Sequence, residues 1–302
     1  MAGIILNQIV IMFLYMLVGF GLYRWGKLTK EGSRDIAALL VNIVIPVVIV
    51  RSFCVERSTA RLAALGASTV VAVLALGASM LIARLVYRRE PIEDFGTAFS
   101  NAGFIGLPLV QSVLGADAVF FLVPFVVLLN LGQWSYGVAI MTGDPGKLRP
   151  RAILVNPFTF STAIGLLLFL SGLGDKLPEV VGSTMQGIAA VNSPLAMIVL
   201  GVYLAQADLV AMVKNWRLYA VSAVRLLLVP AATILILALL PYDVRIRETV
   251  LIAAAAPVGA NVAIYAQLNG RDYTYACQTV VMSTLLSIAT MPAVMALAER
   301  VL

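Results

Sequence analysis

Long apolar runs set apart by short polar stretches fill the chain from end to end. They fall at about 4–23, 35–54, 62–86, 93–114, 117–141, 152–172, 179–206, 217–240, 247–268 and 273–299. Each comes close to the roughly 20 residues a helix needs to cross a bilayer core about 30 Å thick. The pattern predicts ten transmembrane helices with short connections, no soluble domain and no low-complexity segment. The longest polar connector, "TGDPGKLRPR" from Thr142 to Arg151, separates a first five-helix repeat, residues 1–141, from a second, residues 152–302. Two halves of five helices must cross the membrane in opposite senses, the arithmetic of the inverted-topology repeats common among secondary transporters. A shift of 155 positions places Glu93 on Glu248, Gly115 on Gly270 and Asp117 on Asp272, at the ends of the fourth and ninth runs. The expected fold class is therefore an all-α polytopic membrane protein built as two inverted repeats.

Two runs are interrupted. At the same shift, "SNAGFIGLP" (Ser100 to Pro108) in the fourth run faces "AAPVGANVA" (Ala255 to Ala263) in the ninth. Gly106 and Pro108 in one, and Pro257 and Gly259 in the other, are the expected helix breaks. An unpaired backbone amide in hydrocarbon costs several kcal/mol, so such breaks persist around a protein-lined cavity. Half-helix N-termini there carry partial positive charge, and together with the Asn101 and Asn261 amides they suit a carboxylate. The second run carries "NIVIP" (Asn42 to Pro46) and the seventh "VNSP" (Val191 to Pro194). Asn42, Asn192 and Ser193 either line the opposite wall or form interhelical hydrogen bonds, and Pro46 and Pro194 mark further bends. Arg225, in "VSAVRLLLVP", is the only charge deep inside a run. It is a candidate counter-charge for an anion, with snorkelling to the surface or bonding to the broken backbone as the alternatives.

Composition removes most other classes. The chain is 61% hydrophobic and 12% charged, with a mean hydropathy of +0.99, and a soluble core of this size needs far less apolar surface. The net charge of +6 reads as a topology signal, so no nucleic-acid partner is expected. Thirteen Lys and Arg (24, 27, 30, 34, 84, 88, 89, 147, 149, 151, 214, 217 and 271) fall on one side and seven (51, 57, 61, 176, 245, 247 and 300) on the other. The positive-inside rule then places both termini outside the cell (inner) membrane. The first run lacks a basic stretch before it and reads as a spanning helix rather than a cleaved leader. Cys54 and Cys277 read as packing residues, and the absence of His excludes histidine ligands and relays. All fifteen acids lie in loops or at helix ends, where "EPIED" (Glu90 to Asp94) reads as a solvated helix start. No cofactor is expected. Coupling to H⁺ lacks an intramembrane carboxylate, whereas Na⁺ could use oxygens at broken helices, and an anion could leave uncoupled, driven by the membrane potential.

The stretches "SNAGFIGLPLVQSVLG", "NPFTFSTAIGLLLFLSGL", "NSPLAMIVLGVYLA" and "APVGANVAIYAQLNGRDYTYACQTVVMSTLLSIATMP" resemble the auxin efflux carrier family, which includes plant carriers and bacterial malonate and malate permease-like proteins. The resemblance implies that the fourth and ninth helices cross within a transport part formed by helices three to five and eight to ten. That part would move like an elevator against a scaffold of helices one, two, six and seven, in a protein that is often a homodimer. It matches Asn101 and Pro108 to one break and Pro257 and Asn261 to the other, and implies a small organic carboxylate as substrate. A sodium-coupled organic-acid symporter of the bile-acid type shares the ten-helix plan. The drug/metabolite exporters fit the quoted stretches poorly. An integral-membrane lipid enzyme would need clustered acids, for which "EPIED" is the only candidate.

Overall fold

The computed structural model describes residues 2–144 and 156–302. Most of the Thr142–Arg151 connector, including Lys147, Arg149 and Arg151, lies outside the described residues. The described chain is helical, and its one β feature is an isolated antiparallel bridge between Ser100 and Val258. Among the described residues, seven helices are long and apolar enough to cross a membrane: α1 (Ala2–Arg24), α2 (Lys30–Ser52), α3 (Thr59–Val86), α6 (Ala116–Thr142), α8 (Glu179–Gln206), α9 (Trp216–Ala238) and α12 (Tyr273–Val301). The other three expected spans are shorter. The fourth run is divided into α4 (Pro91–Ala98) and α5 (Ala102–Val113), and the ninth into α10 (Val244–Ala255) and α11 (Asn261–Leu268). The sixth is described as α7 (Pro157–Ser171). Twelve residues rise only about 18 Å, short of a bilayer core about 30 Å thick.

Local chemistry sets the helix ends. Thr29, Ser58, Asp243 and Asp272 each accept a backbone N–H from the first turn of the helix they precede, at 2.8–3.2 Å. Such caps satisfy donors that have no intrahelical partner. Pro91 and Pro157 open α4 and α7, where a missing N–H is harmless. Three prolines inside helices each follow a π turn: Leu40–Val44 before Pro46, Ala102–Gly106 before Pro108, and Val224–Leu228 before Pro230. A wider turn removes the clash between the proline ring and the carbonyl four residues earlier. Pro46 and Pro108 therefore lie in helices that continue. Pro194 lies in the first turn after α8 bends at Val191.

The helices pack as two groups. In the first, α1 lies along α8, and α2 packs on α7 and α8; in the second, α3–α6 and α9–α12 pack on one another. The groups meet where α1 and α8 touch α5 and α12, and where α2 touches α6. The α1–α8 contact is backbone to backbone. A β-carbon on Gly201 would lie 1.9 Å from the Met16 carbonyl oxygen, and one on Gly19 would lie 2.1 Å from that of Ile198. Small residues allow this approach, which takes the place of hydrophobic driving force between helices in lipid. Leu14, Leu81, Phe160 and Leu235 are well exposed on the outer surface, as lipid contact requires.

The start of α4 differs from the sequence expectation. Glu93 is 3% exposed and Asp94 fully buried, so "EPIED" is no solvated helix start. Arg217 of α9 bonds Glu93, as does the Tyr275 hydroxyl of α12 at 2.9 Å. Arg84 of α3 lies 3.3 Å from Asp94, which also accepts from Tyr136 at 3.2 Å. Four neighbouring helices supply these partners, and the local sequence encodes none of them.

Candidate functional site

The two interrupted runs meet at their interruptions. α4 stops at Ala98 and α10 at Ala255, and Phe99 and Ala256 are both extended. The Asn101 N–H donates to the Pro257 carbonyl at 2.7 Å, and the Gly259 N–H donates to that of Phe99 at 3.0 Å. The Val258 N–H donates to the Ser283 hydroxyl at 3.1 Å, and Pro257 has no donor to satisfy. Each interruption thus answers the other's backbone, which keeps irregular chain tolerable at membrane depth. A β-carbon on Gly259 would sit 3.0 Å from the Ser100 carbonyl oxygen and 3.1 Å from that of Phe99. Gly259→Ala is therefore expected to lower stability by about 1–3 kcal/mol, read as a lower unfolding midpoint in detergent.

The interruption in the fourth run lies at Phe99–Asn101, upstream of where its sequence suggested. Gly106 and Pro108 sit within α5, and Gly106 approaches α10, where an added β-carbon would meet the Ala253 α-carbon at 3.2 Å. In the ninth run Pro257 and Gly259 lie at the interruption itself. Asn101 caps α5, its Oδ1 accepting from the Phe104 N–H at 3.3 Å. Its Nδ2 is buried without a partner.

Beside this crossing lies a cavity of about 210 Å³. Ser100, Asn101, Gly259 and Asn261 form its wall at the crossing; Asn130, Gln133 and Trp134 come from α6, Val41 and Ile45 from α2, Phe158 from α7 and Tyr265 from α11. The Asn261 Nδ2 donates to the Gln133 Oε1 at 2.7 Å, and the Asn130 amide donates to the Val126 carbonyl at 2.8 Å. The Ser100 and Tyr265 hydroxyls are buried without partners. None of the described lining residues is charged. What polarises the cavity is the backbone, because α5 and α11 both begin at its edge and present the positive ends of their dipoles.

Of the six residues expected to bind substrate, the cavity brings together Asn101 and Asn261. Asn42 is exposed, donates to the Ala38 carbonyl at 2.8 Å and lines a separate, mostly apolar groove of about 810 Å³ between α2 and α7. Asn192 and Ser193 do not line the cavity. Asn192 is 1% exposed, and neither of its amide atoms has a partner, nor does the Ser193 hydroxyl. An unpartnered buried amide costs about 1–3 kcal/mol, so Asn192→Leu is expected to raise the unfolding midpoint. A lowered midpoint would show that the amide has a partner. Arg225 is 1% exposed and lies away from the cavity, bonded to the carbonyls of Thr97 (2.9 Å), Ala256 (3.0 Å) and Ala254.

Sequence reasoning missed Ser100, Asn130, Gln133 and Tyr265. The two amides of the fifth run were visible as polar residues three apart in an apolar helix, a spacing that puts both on one face.

The chain also matches known proteins. The family model described as "Membrane transport protein" matches residues 4–295. An "Uncharacterized transporter" of Methanothermobacter thermautotrophicus is 25% identical over 287 residues, covering 92% of this chain and 93% of that protein. A "Putative malonate transporter" of Rhizobium meliloti is 27% identical over 239 residues, covering 76% of this chain and 73% of that protein.

Proposed function

Because the chain belongs to the membrane transport protein family, the auxin efflux carrier grouping that its motifs resemble, we propose that it carries small organic carboxylates through the cavity at the α4/α5 and α10/α11 crossing. One observation carries this reading: Asn101, whose Nδ2 is buried without a partner, is part of the wall of an uncharged cavity where two helix N-termini converge. An anion gains there from fixed dipoles in a low dielectric and need not displace a resident carboxylate. The volume of about 210 Å³ is below the roughly 300–1,000 Å³ of drug-sized sites and suits a mono- or dicarboxylate such as malonate or malate. The malonate named for the Rhizobium meliloti relative has this chemistry.

In this reading the chain is a ten-helix inverted repeat, with residues 1–141 and 152–302 as its halves and both termini outside the inner membrane. The group of α3–α6 and α9–α12 moves as an elevator against α1, α2, α7 and α8, in a chain that pairs as a homodimer. The cavity supports this plan because it lies where the two groups meet, with Val41, Ile45 and Phe158 facing the crossing. A potential negative inside contributes about 2.3 kcal/mol per charge per 100 mV and favours export of an anion.

The test is movement of labelled malonate, malate and indole acetate across proteoliposomes at fixed potential. A carboxylate moving faster than in protein-free liposomes, and more slowly in Asn261→Ala, is the expected result. No movement of any acid would refute the reading.

A further inference from the structure

The mirror image of the anion cavity lies on the other side of the crossing. Where α5 and α11 begin, α4 and α10 end, and a helix end leaves its last carbonyls without intrahelical partners. Here the loss is specific. The regular helical partner of the Thr97 carbonyl would be the Asn101 N–H, which is given to Pro257; that of Ala254 would be the Val258 N–H, which is given to Ser283. Thr97, Ala254 and Ala256 therefore converge as a cluster of carbonyl oxygens from both halves of the chain. Two helix C-termini of about half a negative charge each add roughly one negative charge. Hard cations take oxygen atoms, backbone carbonyls among them, as their ligands.

The cluster already holds a cation. Arg225 reaches it from the Val224–Leu228 π turn of α9 and places Nε on Ala256, Nη1 on Thr97 and Nη2 on Ala254. The guanidinium is 1% exposed and makes no ion pair among the described residues. Its charge is thus balanced by backbone dipoles, and its planar fork joins the end of α4 at Thr97 to the end of α10 at Ala254 and Ala256.

We propose that Arg225 is a tethered cation that occupies the position a free coupling cation would take at the crossing, so that transport by this chain needs no Na⁺. The proposal rests on the transport reading above and adds its ion requirement. A cation fixed by a covalent stem travels with the moving helices and is never released, so the substrate crosses with its own charge alone. Arg225 is a positioning residue: it holds the ends of α4 and α10 together and leaves the opposite, positive ends free for an anion.

The experiment compares wild type, Arg225→Lys and Arg225→Ala in NaCl and in choline chloride at equal ionic strength. The readouts are labelled malonate transport in proteoliposomes and unfolding midpoint in detergent. Wild type is expected to give the same rate and the same midpoint in both salts. Arg225→Ala is expected to lose at least about tenfold in rate, because three charge-assisted bonds are gone, and to melt lower. Guanidinium at millimolar concentration, or Na⁺, should restore part of both properties in Arg225→Ala and change neither in wild type. Arg225→Lys should retain more of both than Arg225→Ala.

A Na⁺ requirement in wild type, an alanine variant equal to wild type, or an alanine variant that neither cation restores would each overturn the proposal. If Arg225→Ala does not fold, the salt comparison on wild type and Arg225→Lys decides. If wild type moves no carboxylate, the carboxylate reading fails, and the midpoints still decide the role of Arg225.

Discussion

Asn101→Asp abolishes carboxylate transport while leaving the fold intact. Aspartate caps a helix as well as asparagine does, and a negative charge at the start of α5 is favourable. The acceptor for the Phe104 N–H therefore survives the change. What changes is the charge of a cavity that has none among its described lining residues. An ionised carboxylate about 4 Å from a bound anion costs about 4 kcal/mol at an effective dielectric near 20, so a loss of at least about a hundredfold is expected in proteoliposomes. Only the ionised form repels, so the loss should deepen as pH rises through the titration of the new carboxyl and ease below it. Asn101→Ala instead removes both the cap and the free amide. It should cost about 1 kcal/mol of stability with a smaller, pH-independent fall in rate. An Asn101→Asp protein that still transports would move the anion site elsewhere.

The second large effect is structural. Gly201→Ala places a β-carbon 1.9 Å from the Met16 carbonyl oxygen and 2.8 Å from the Phe20 nitrogen. Both are backbone atoms of a continuous helix and cannot rotate away as a side chain would. α1 and α8 must separate, and the packing between their small residues is lost along the contact. Overpacking of this kind costs about 1–3 kcal/mol and occasionally more, and a backbone clash belongs at the upper end. The unfolding midpoint in detergent should fall by several degrees, and further for Gly201→Val. A midpoint equal to wild type would show that α1 and α8 are not held this closely.

The parts of this protein that were legible in its sequence are those encoded by neighbouring residues. Apolar runs near 20 residues reveal spanning helices because the length needed to cross lipid is fixed. The runs containing Asn101 and Asn261 stood out because Asn, Gly and Pro interrupt them together. Where the chain leaves the helix was harder to read. Pro108, the strongest breaker in the fourth run, is accommodated by the π turn before it, and the residues outside the helix are Phe99 to Asn101, of which Phe99 carries no breaking tendency. Pro46 and Pro230 are accommodated in the same way. In each case the helix widens by one residue per turn, and no local composition distinguishes that outcome from a break.

Partners distant in sequence were the least legible. Arg225 suggested a counter-charge for substrate because an isolated intramembrane charge is costly. The sequence does not show that Thr97, Ala254 and Ala256 lie within its reach. Glu93 and Asp94 read as solvated because Arg88 and Arg89 adjoin them. The structure pairs Glu93 with Arg217 and Tyr275, and Asp94 with Arg84 and Tyr136. Asn42 and Asn192 fall in corresponding runs and look equivalent, yet one faces outward on its own helix and the other is buried with its amide unpaired. Helical phase decides these outcomes, and an apolar run with few polar markers does not fix its phase.

The most direct test of the central claim is a high-resolution structure of the protein with malonate bound. A carboxylate is expected in the cavity beside the crossing, within hydrogen-bond distance of the Asn101 Nδ2 and near the N-termini of α5 and α11. A ligand found instead at Arg225, or in the groove beside Asn42, would contradict it.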